Sequence, residues 1–516
     1  MNITSSQSIQ SLLVGMLRDP SKLTNQEVDG ISLDSRELDD GFMFLSLAKD
    51  SELRLQFLQQ ALTKQLAIVL YDEEQPLTNE EQQLLEQTKT AYQAVKELAE
   101  KSGEIAARFY GHPSMALTVI AITGTNGKTS VSQFIAQALE SLSIPCGVIG
   151  TLGIGRIGTL TDTGMTTPDP VTMQKILAGF HKQNINHVVI EASSHALCQG
   201  RLNSVSVDVA VFTNLTRDHL DYHQTMAEYA QAKARLFKFE SIKTAVINCA
   251  DDFGRTLINE LSINSKLSVS TYSRFCLDKK ADLQAENIVA SIDGLAFELL
   301  EGEHVNPIRV GLFGEFNVDN LLATIASLNA IGLKQDDVIS AVAKSHSVNG
   351  RMEMLGGGKH VTVVVDFAHT PDALKQALSS LKKHISDDGQ LLCVFGCGGD
   401  RDSGKRSQMG ETVEKYANRF VITDDNPRTE SAQQIVADIL SGLKAKDKAL
   451  IEHNRKLAIT SMIQTARQGD IVLVAGKGHE QYQDIAGIKH PFSDKQIITE
   501  LLSAANDSDM KLREVK

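Results

Sequence analysis

The chain has 516 residues, 42% hydrophobic and 22% charged, with a formal net charge of -13. That length exceeds one ordinary core and asks for two to four domains. The negative balance argues against a nucleic-acid partner or polyphosphate held by general attraction, though not against a local anion pocket.

The opening residues, MNITSSQSIQSLLVGMLRDP, lack a basic stretch, and their apolar patch is only LLVGML. That fits neither a secretion signal nor a membrane span. No uninterrupted apolar run approaches ~20 residues, so no membrane insertion is expected and the protein reads as cytoplasmic. Six cysteines (Cys146, Cys198, Cys249, Cys276, Cys393, Cys397) are scattered. No second pair joins Cys393 and Cys397 to complete a zinc site, and buried reduced thiols are expected.

Residues 1–112 carry no nucleotide motif. DGFMFLSL and QLAIVLYDEEQP predict short strands, and the stretch from Pro76 onward predicts helices that stop at Gly111 and Pro113. A domain boundary is expected there. Residues 113–346 alternate strand, motif and helix. The runs ALTVIAIT, HVVIEAS, VDVAVFTNL and KTAVINC lack clean alternation, which suits a parallel sheet buried on both faces. Between about 267 and 315 the pattern alternates around Asp293-Gly294 and predicts a hairpin insertion. NVDNLLATIASLNAIG then returns to helical spacing. Residues 347–505 resume the strand-then-loop order with VTVVVDFAH, QLLCVFGCGGD, NRFVITDDNP and DIVLVAGKGHE. Residues 506–516 form a polar tail that is expected to fray.

The expected fold class is therefore α/β in three domains. The central one is a P-loop-type ATPase domain with a mostly parallel sheet, and the C-terminal one is Rossmann-like. In both later domains polar, glycine-rich clusters follow the apolar runs. Open α/β sheets bind ligands at the carboxyl ends of their strands. The chemistry is thus expected on two strand-end edges, with a site between them and a hinge near Ser347–Arg351, where Gly350 lies.

The strongest local signal is GTNGKTS. It follows an apolar run and opens a helix whose Val131, Phe134, Ile135, Ala138, Leu139 and Leu142 share one face. Loop amides and the helix N-terminus point at an anion. Lys128 reaches terminal phosphates, and Thr129 offers its hydroxyl to Mg²⁺. The usual pattern wants Gly where this chain has Ile122, so a shorter, distinct loop is expected. Glu191 ends the next motif strand and is either a solvated rim charge or an oxygen ligand for a second divalent cation. His219 and His223 have the spacing of zinc ligands, but the Glu of a His-Glu-x-x-His site is missing; His219 reads as a neighbour of Mg²⁺. Lys233, on a predicted helix, by itself reads as a surface lysine. Ser194-His195 lacks the Gly-x-Ser-x-Gly elbow of a nucleophile.

TGTNGKTS, TTPDP, EASSHAL, TNLTRDHLDYH, FNVDN, GRMEML, DFAHTPDAL, GCGGDRDSGKR, TDDNPRTE and AGKGHE occur in order. The chain resembles the Mur ligases from about residue 115 to about 495, more thinly before 110. The resemblance implies an ATP-dependent acid–amino-acid ligase that uses ATP and Mg²⁺. Its expected reaction adds meso-2,6-diaminopimelate to UDP-N-acetylmuramoyl-L-alanyl-D-glutamate through an acyl phosphate, in peptidoglycan precursor synthesis. It implies a monomer with small-molecule substrates. Gly124, Thr125, Asn126, Gly127, Lys128, Thr129 and Ser130 would hold ATP phosphates, with Asn320, Arg351 and Asp366 completing the nucleotide contacts. Thr129, Glu191 and His219 would serve Mg²⁺, and Lys233 would be the family's carbamylated lysine. Catalysis would fall to Lys128, Lys233 and His219. Thr166, Thr167, Ser193, Gln199 and Arg201 would meet the muramoyl dipeptide, and Leu33 and Ser35 the uridine.

The incoming amino acid ends in a zwitterion. Arg401 and Arg428 supply planar forks for carboxylates. Glu480, with Asp425 and Asn426, accepts from an ammonium, Pro427 stiffens the turn, and the resemblance adds Gly476. Structural ion pairing is the alternative role for the two arginines. Two departures stand out. Met165 replaces an Asn common in relatives, and AKDSELRLQF replaces a Gly-His pair and an Asp-Gly near the uracil. The rival readings are a folylpolyglutamate synthase, a lysine-adding relative, or a nucleotide-driven switch or transport ATPase.

Overall fold

The apolar runs of the central and C-terminal segments become strands buried along their length, and the polar clusters form the loops that follow them. A computed structural model describes residues 6–17, 26–263, 267–275, 280–291, 293–357, 361–385 and 388–514. Two units form, Met1–Thr271 with Ala323–Gln335, and Tyr272–Leu322 with Asp336–Lys516. The change of unit after Gln335 precedes the boundary expected at 346, and residues 1–112 share the first unit with the nucleotide motif.

In the first unit, Thr244–Asn248, Val209–Phe212, Thr118–Thr123, His187–Glu191 and Cys146–Gly150 are neighbours in that order, all parallel. Gly153–Gly155 turns back antiparallel at the edge. Val119, Ile120, Ala121 and Ile122, and likewise Val188, Val189 and Ile190, are buried at consecutive positions, as strands covered on both faces require. The N-terminal residues build a separate parallel sheet from Gly30–Ser32, Phe42–Ser46, Ile68–Asp72 and Tyr92–Val95. The last strand lies in the stretch expected to be helical throughout. Lys89 and Glu97 flank it with positive φ (55° and 56°), which stops a helix on either side, and pairing with Ile68–Asp72 supplies its hydrogen bonds. The flanking helices Asn79–Gln87 and Leu98–Phe109 form as expected, the first with a Thr78–Glu81 capping box.

The segment expected to depart from the family pattern near the uracil contributes to the helix Ser51–Ala61, capped by Asp50. Its Arg54 is buried and grips Glu81 at 2.7 and 2.8 Å, as well as the carbonyls of Gln75 and Pro76. Leu98–Phe109 packs on Pro170–Lys182, where Gly103 leaves room for Pro170 and Ser204.

In the second unit, Leu283–Ser291, Gly294–Glu301 and His304–Val310 make an antiparallel meander, one strand more than the expected hairpin. Ile292, in that turn, lies outside the described residues, as does Cys276. The main sheet runs Glu353–Gly356, Thr362–Asp366, Ile471–Ala475, Leu391–Phe395, Arg419–Ile422, Leu450–Ile451, parallel except for the first. The late strand Ile471–Ala475 inserts between two earlier ones. The loops after Asp366, Phe395, Ile422 and Ala475 therefore open on one edge. The helix Asp494–Glu514 extends into the expected polar tail, which contains no Gly or Pro to stop it. Among the described residues no helix is long and apolar enough to cross a membrane.

Candidate active site

The strand Thr118–Thr123 passes through Gly124 (φ 150°) into the loop, and the helix Lys128–Ser141 begins after Gly127 (φ 89°). A Cβ at Gly124 would strike the Thr213 hydroxyl. The loop is fastened to the end of the next strand. The Thr125 and Asn126 amides donate to Asn214 O and Oδ1 at 2.8 and 2.9 Å, and Thr213 Oγ1 donates to Asn126 O at 2.6 Å. Asp169, Ser193, Thr225 and Asp251 cap their helices with side chains, but no side chain caps Lys128–Ser141. A helix N-terminus without a side-chain cap favours an anion. Ile122 is fully buried within the strand, so the loop is indeed short. Lys128 Nζ folds onto Gly124 O and Thr125 O at 2.8 and 2.9 Å.

Glu191 is fully buried, which removes the rim-charge reading. Its carboxylate accepts from Thr129 Oγ1 at 2.8 Å, Thr151 N at 3.0 Å and Thr151 Oγ1 at 2.9 Å. Gly150 has no Cβ because Glu191 occupies that space. Thr151 Oγ1 also meets Thr166 Oγ1 at 3.1 Å, and Thr167 Oγ1 donates to Glu191 O at 2.6 Å. Thr167 and Ser193 share a hydrogen bond, while Arg201 holds Thr167 O at 2.6 Å and Gln199 Oε1 at 2.7 Å. One continuous network therefore joins the phosphate loop to the residues expected on the muramoyl dipeptide. Ser35, in the N-terminal sheet's loops, donates to Gln60 Oε1 at 2.8 Å, with Leu33 half-buried nearby in sequence. Met165 is exposed.

Lys233 is not a surface lysine: it is 1% exposed. Its Nζ donates to Gly124 O at 2.8 Å, the same carbonyl that Lys128 uses, and lies 4.1 Å from the Tyr229 ring centroid. Burial, then the Lys128 ammonium, pulls its pKa well below the ordinary lysine value, with Asp218 opposing. His219 is half-exposed, sits at φ 53° and lies 3.4 Å from Asp218. Tyr229 links this corner to the loop through a 3.2 Å hydrogen bond to Thr125 Oγ1. His223 is buried against Ser194 Oγ at 2.9 Å, and no metal-binding group of three His, Cys, Asp or Glu exists among the described residues.

In the second unit, Asp366 ends its strand with amides of Met352 and Ala368 on its carboxylate at 2.7 and 2.8 Å. Burial raises its pKa, and Arg351 opposes. The Arg351 guanidinium lies 4.7 Å from the Phe367 ring centroid, and Asn320 donates to Asn317 at 2.8 Å. Gly350 (φ 66°) packs against the backbone of Gly478 and His479, where no side chain fits.

The amino-acid cluster assembles on the same strand edge. Gly399 N donates to Asn426 O at 2.9 Å, and Arg428 Nη1 to Gly399 O at 2.7 Å. Arg428, after Pro427, has φ 52°, held by backbone bonds to Asp484 O and from Ala486 N at 3.0 and 2.7 Å. Its Nε lies 4.0 Å from Asp484 Oδ2. Arg401 is exposed. Asn426 Nδ2 donates to Glu480 Oε2 at 2.9 Å, and Lys477, fully buried, joins Asn426, Glu480 and Asp425. Buried Arg406 braces the cluster through Gly398 O, Glu430 and Asp438. Sequence reasoning missed Thr151, Asn214, Tyr229, Lys477 and Asp484. Asn214 and Lys477 lie inside quoted motifs, so their signal was available; Thr151 and Asp484 carry none.

Residues 122–328 match the Mur ligase middle domain, and residues 350–478 match the Mur ligase, glutamate ligase domain. Two curated relatives are named UDP-N-acetylmuramoyl-L-alanyl-D-glutamate–2,6-diaminopimelate ligase. The one from Xylella fastidiosa (strain Temecula1) is 42% identical over 495 residues, covering 95% of this chain and 97% of the relative. The one from Chromobacterium violaceum is 44% identical over 478 residues, covering 92% and 94%. A solved structure of a ligase with that name is 36% identical, with a TM-score of 0.72, covering 97% of this chain and all of the other. A Mycobacterium tuberculosis folylpolyglutamate synthase complexed with ADP and AMPPCP shares the fold at 20% identity, with a TM-score of 0.60, over 73% of this chain and 92% of its own.

Proposed function

The chain belongs to the Mur ligase family, and from that premise we propose that it joins meso-2,6-diaminopimelate to the glutamyl side-chain carboxylate of UDP-N-acetylmuramoyl-L-alanyl-D-glutamate, with ATP as phosphoryl donor. The observation that carries this reading is that one strand edge holds both the Arg428 fork, bound to Gly399 O, and the Glu480 carboxylate, bound to Asn426 Nδ2, with Gly399 N donating to Asn426 O between them. A zwitterionic end group needs one of each. In this reading residues 1–112 hold the nucleotide sugar, 113–346 ATP and 347–505 the amino acid, in a cytoplasmic monomer.

A carboxylate is a poor acyl donor, so its oxygen attacks the γ-phosphorus of ATP and ADP leaves. The acyl phosphate then meets a free amine of diaminopimelate; the amide forms and phosphate departs. The N-terminus of the helix Lys128–Ser141 receives ATP phosphates, and Lys128 exchanges its loop carbonyls for phosphate oxygens. The buried hydroxyl–carboxylate pair of Thr129 and Glu191 is a hard-oxygen donor set that fits Mg²⁺, and His219 would serve it as a further neighbour. Bound there, Mg²⁺ would neutralise phosphate charge during transfer. Lys233 as an ammonium fits no cation. Its lowered pKa supports a neutral amine whose lone pair adds to the carbon of CO₂ with loss of a proton, converting it to a carboxylate. Thr166, Thr167, Ser193, Gln199 and Arg201 orient the dipeptide, and Asn320, Arg351 and Asp366 complete the nucleotide site.

A coupled phosphate-release assay tests the reading. Release should require ATP, the dipeptide nucleotide and diaminopimelate together, with a new amide found in the product. Release from ATP alone would favour a switch or transport ATPase.

A further inference from the structure

We infer that Lys477 is a positioning residue of the amino-acid pocket: its buried ammonium decides which oxygen of Glu480 is presented to the ammonium of the incoming amino acid. This rests on the reading above that Glu480 receives that group. Lys477 is fully buried at the end of the strand Ile471–Ala475, between Gly476 (φ 112°) and Gly478 (φ 52°). A Cβ at Gly476 would lie 2.5 Å from Asp425 Oδ2, and one at Gly478 would lie 2.8 Å from the Phe367 Cβ. The two glycines thus bring the backbone close enough for the lysine to turn inward.

A lysine ammonium carries three N–H donors. Here Nζ donates to Asn426 Oδ1 at 2.8 Å and Glu480 Oε2 at 3.0 Å, and lies 3.6 Å from Asp425 Oδ1. Asn426 Oδ1 also accepts from Asp484 N at 2.9 Å, so two donors fix the amide's oxygen. Its nitrogen must then face Glu480 Oε2, at 2.9 Å. Both donors fall on Oε2, and Oε1 has no hydrogen-bond partner among the described residues. That oxygen is left for a ligand. The lysine also offsets two neighbouring carboxylates, Asp425 and Glu480, whose mutual repulsion would otherwise shift Glu480.

The test measures KM for diaminopimelate, ATP and the dipeptide nucleotide in the full-length enzyme, with a melting profile for each variant. Lys477→Met should raise KM for diaminopimelate about 100-fold, the scale of truncating one partner of a buried charge pair, and move the other two less than about 3-fold. In a Glu480→Gln background the same substitution should add less than about 3-fold, because its target is gone. A full, additive loss in that background, or equal effects on all three KM values, would show a structural lysine and overturn the inference. Should Lys477→Met fail to fold, Lys477→Gln takes its place; failure of both to fold also overturns it. Wild-type enzyme that makes no diaminopimelate amide would defeat the functional reading instead.

Discussion

Arg428→Ala separates recognition of the distal carboxylate from everything else in the site. Arginine and alanine bear the same Cβ cost at φ 52°, so the backbone is not relaxed by the change. What goes is a guanidinium that is 24% exposed, held by Gly399 O at 2.7 Å and facing Asp484 at 4.0 Å. Its remaining donors are available to a substrate carboxylate. For such a partly desolvated pair, truncation costs about 2–3 kcal/mol, at the low end for charge pairs because water still reaches it. KM for diaminopimelate should therefore rise about 30- to 150-fold, with KM for ATP within about 3-fold. L-lysine lacks the distal carboxylate, so its poor kcat/KM should not fall further, and the preference for diaminopimelate should shrink by the same factor. Phosphate release measured with each amino acid in turn decides. Equal effects on ATP and diaminopimelate, or an unchanged preference over lysine, would refute the contact.

Lys233→Ala should lose activity by about 10³-fold or more, since it removes a charged group beside the phosphoryl-transfer site. Added short carboxylates should restore part of it, and intact mass of the wild type should show one CO₂ that the variant lacks. Arg455→Met breaks a fully buried pair with Asp494, at 2.7 and 2.8 Å, and should destabilise the C-terminal part by about 3–5 kcal/mol in denaturant unfolding. Asp319 is raised from 3.8 to about 6, chiefly by burial, against Arg274. The folded form thus holds a proton that the unfolded chain has released. The stability this group contributes is present below about pH 4 and is lost as pH rises to about 6. Stability of wild type relative to Asp319→Asn should fall across that window and level off above it; a flat difference would contradict the burial effect.

The strands that carry the chemistry were legible because apolar runs buried on both faces leave an unbroken hydrophobic signature. TVIAIT, HVVIE, VAVF, TVVVD, LLCVF and IVLVA all became parallel strands. The phosphate loop was equally plain, since glycines, Lys128 and Thr129 are neighbours in the chain. Tyr92–Val95 was hidden, because its residues suit a helix and only pairing with Ile68–Asp72 makes them a strand.

Local order along the chain thus determined the α/β class, the loop and the family resemblance, since backbone conformation and short motifs depend on near neighbours. Only the tertiary structure decided that Lys233 is buried on the carbonyl of Gly124, that Glu191 is buried against Thr129 and Thr151, and that Lys477 binds Asn426 to Glu480. Burial and charge pairing come from segments distant in sequence, and no residue carries the identity of such partners in its own neighbourhood.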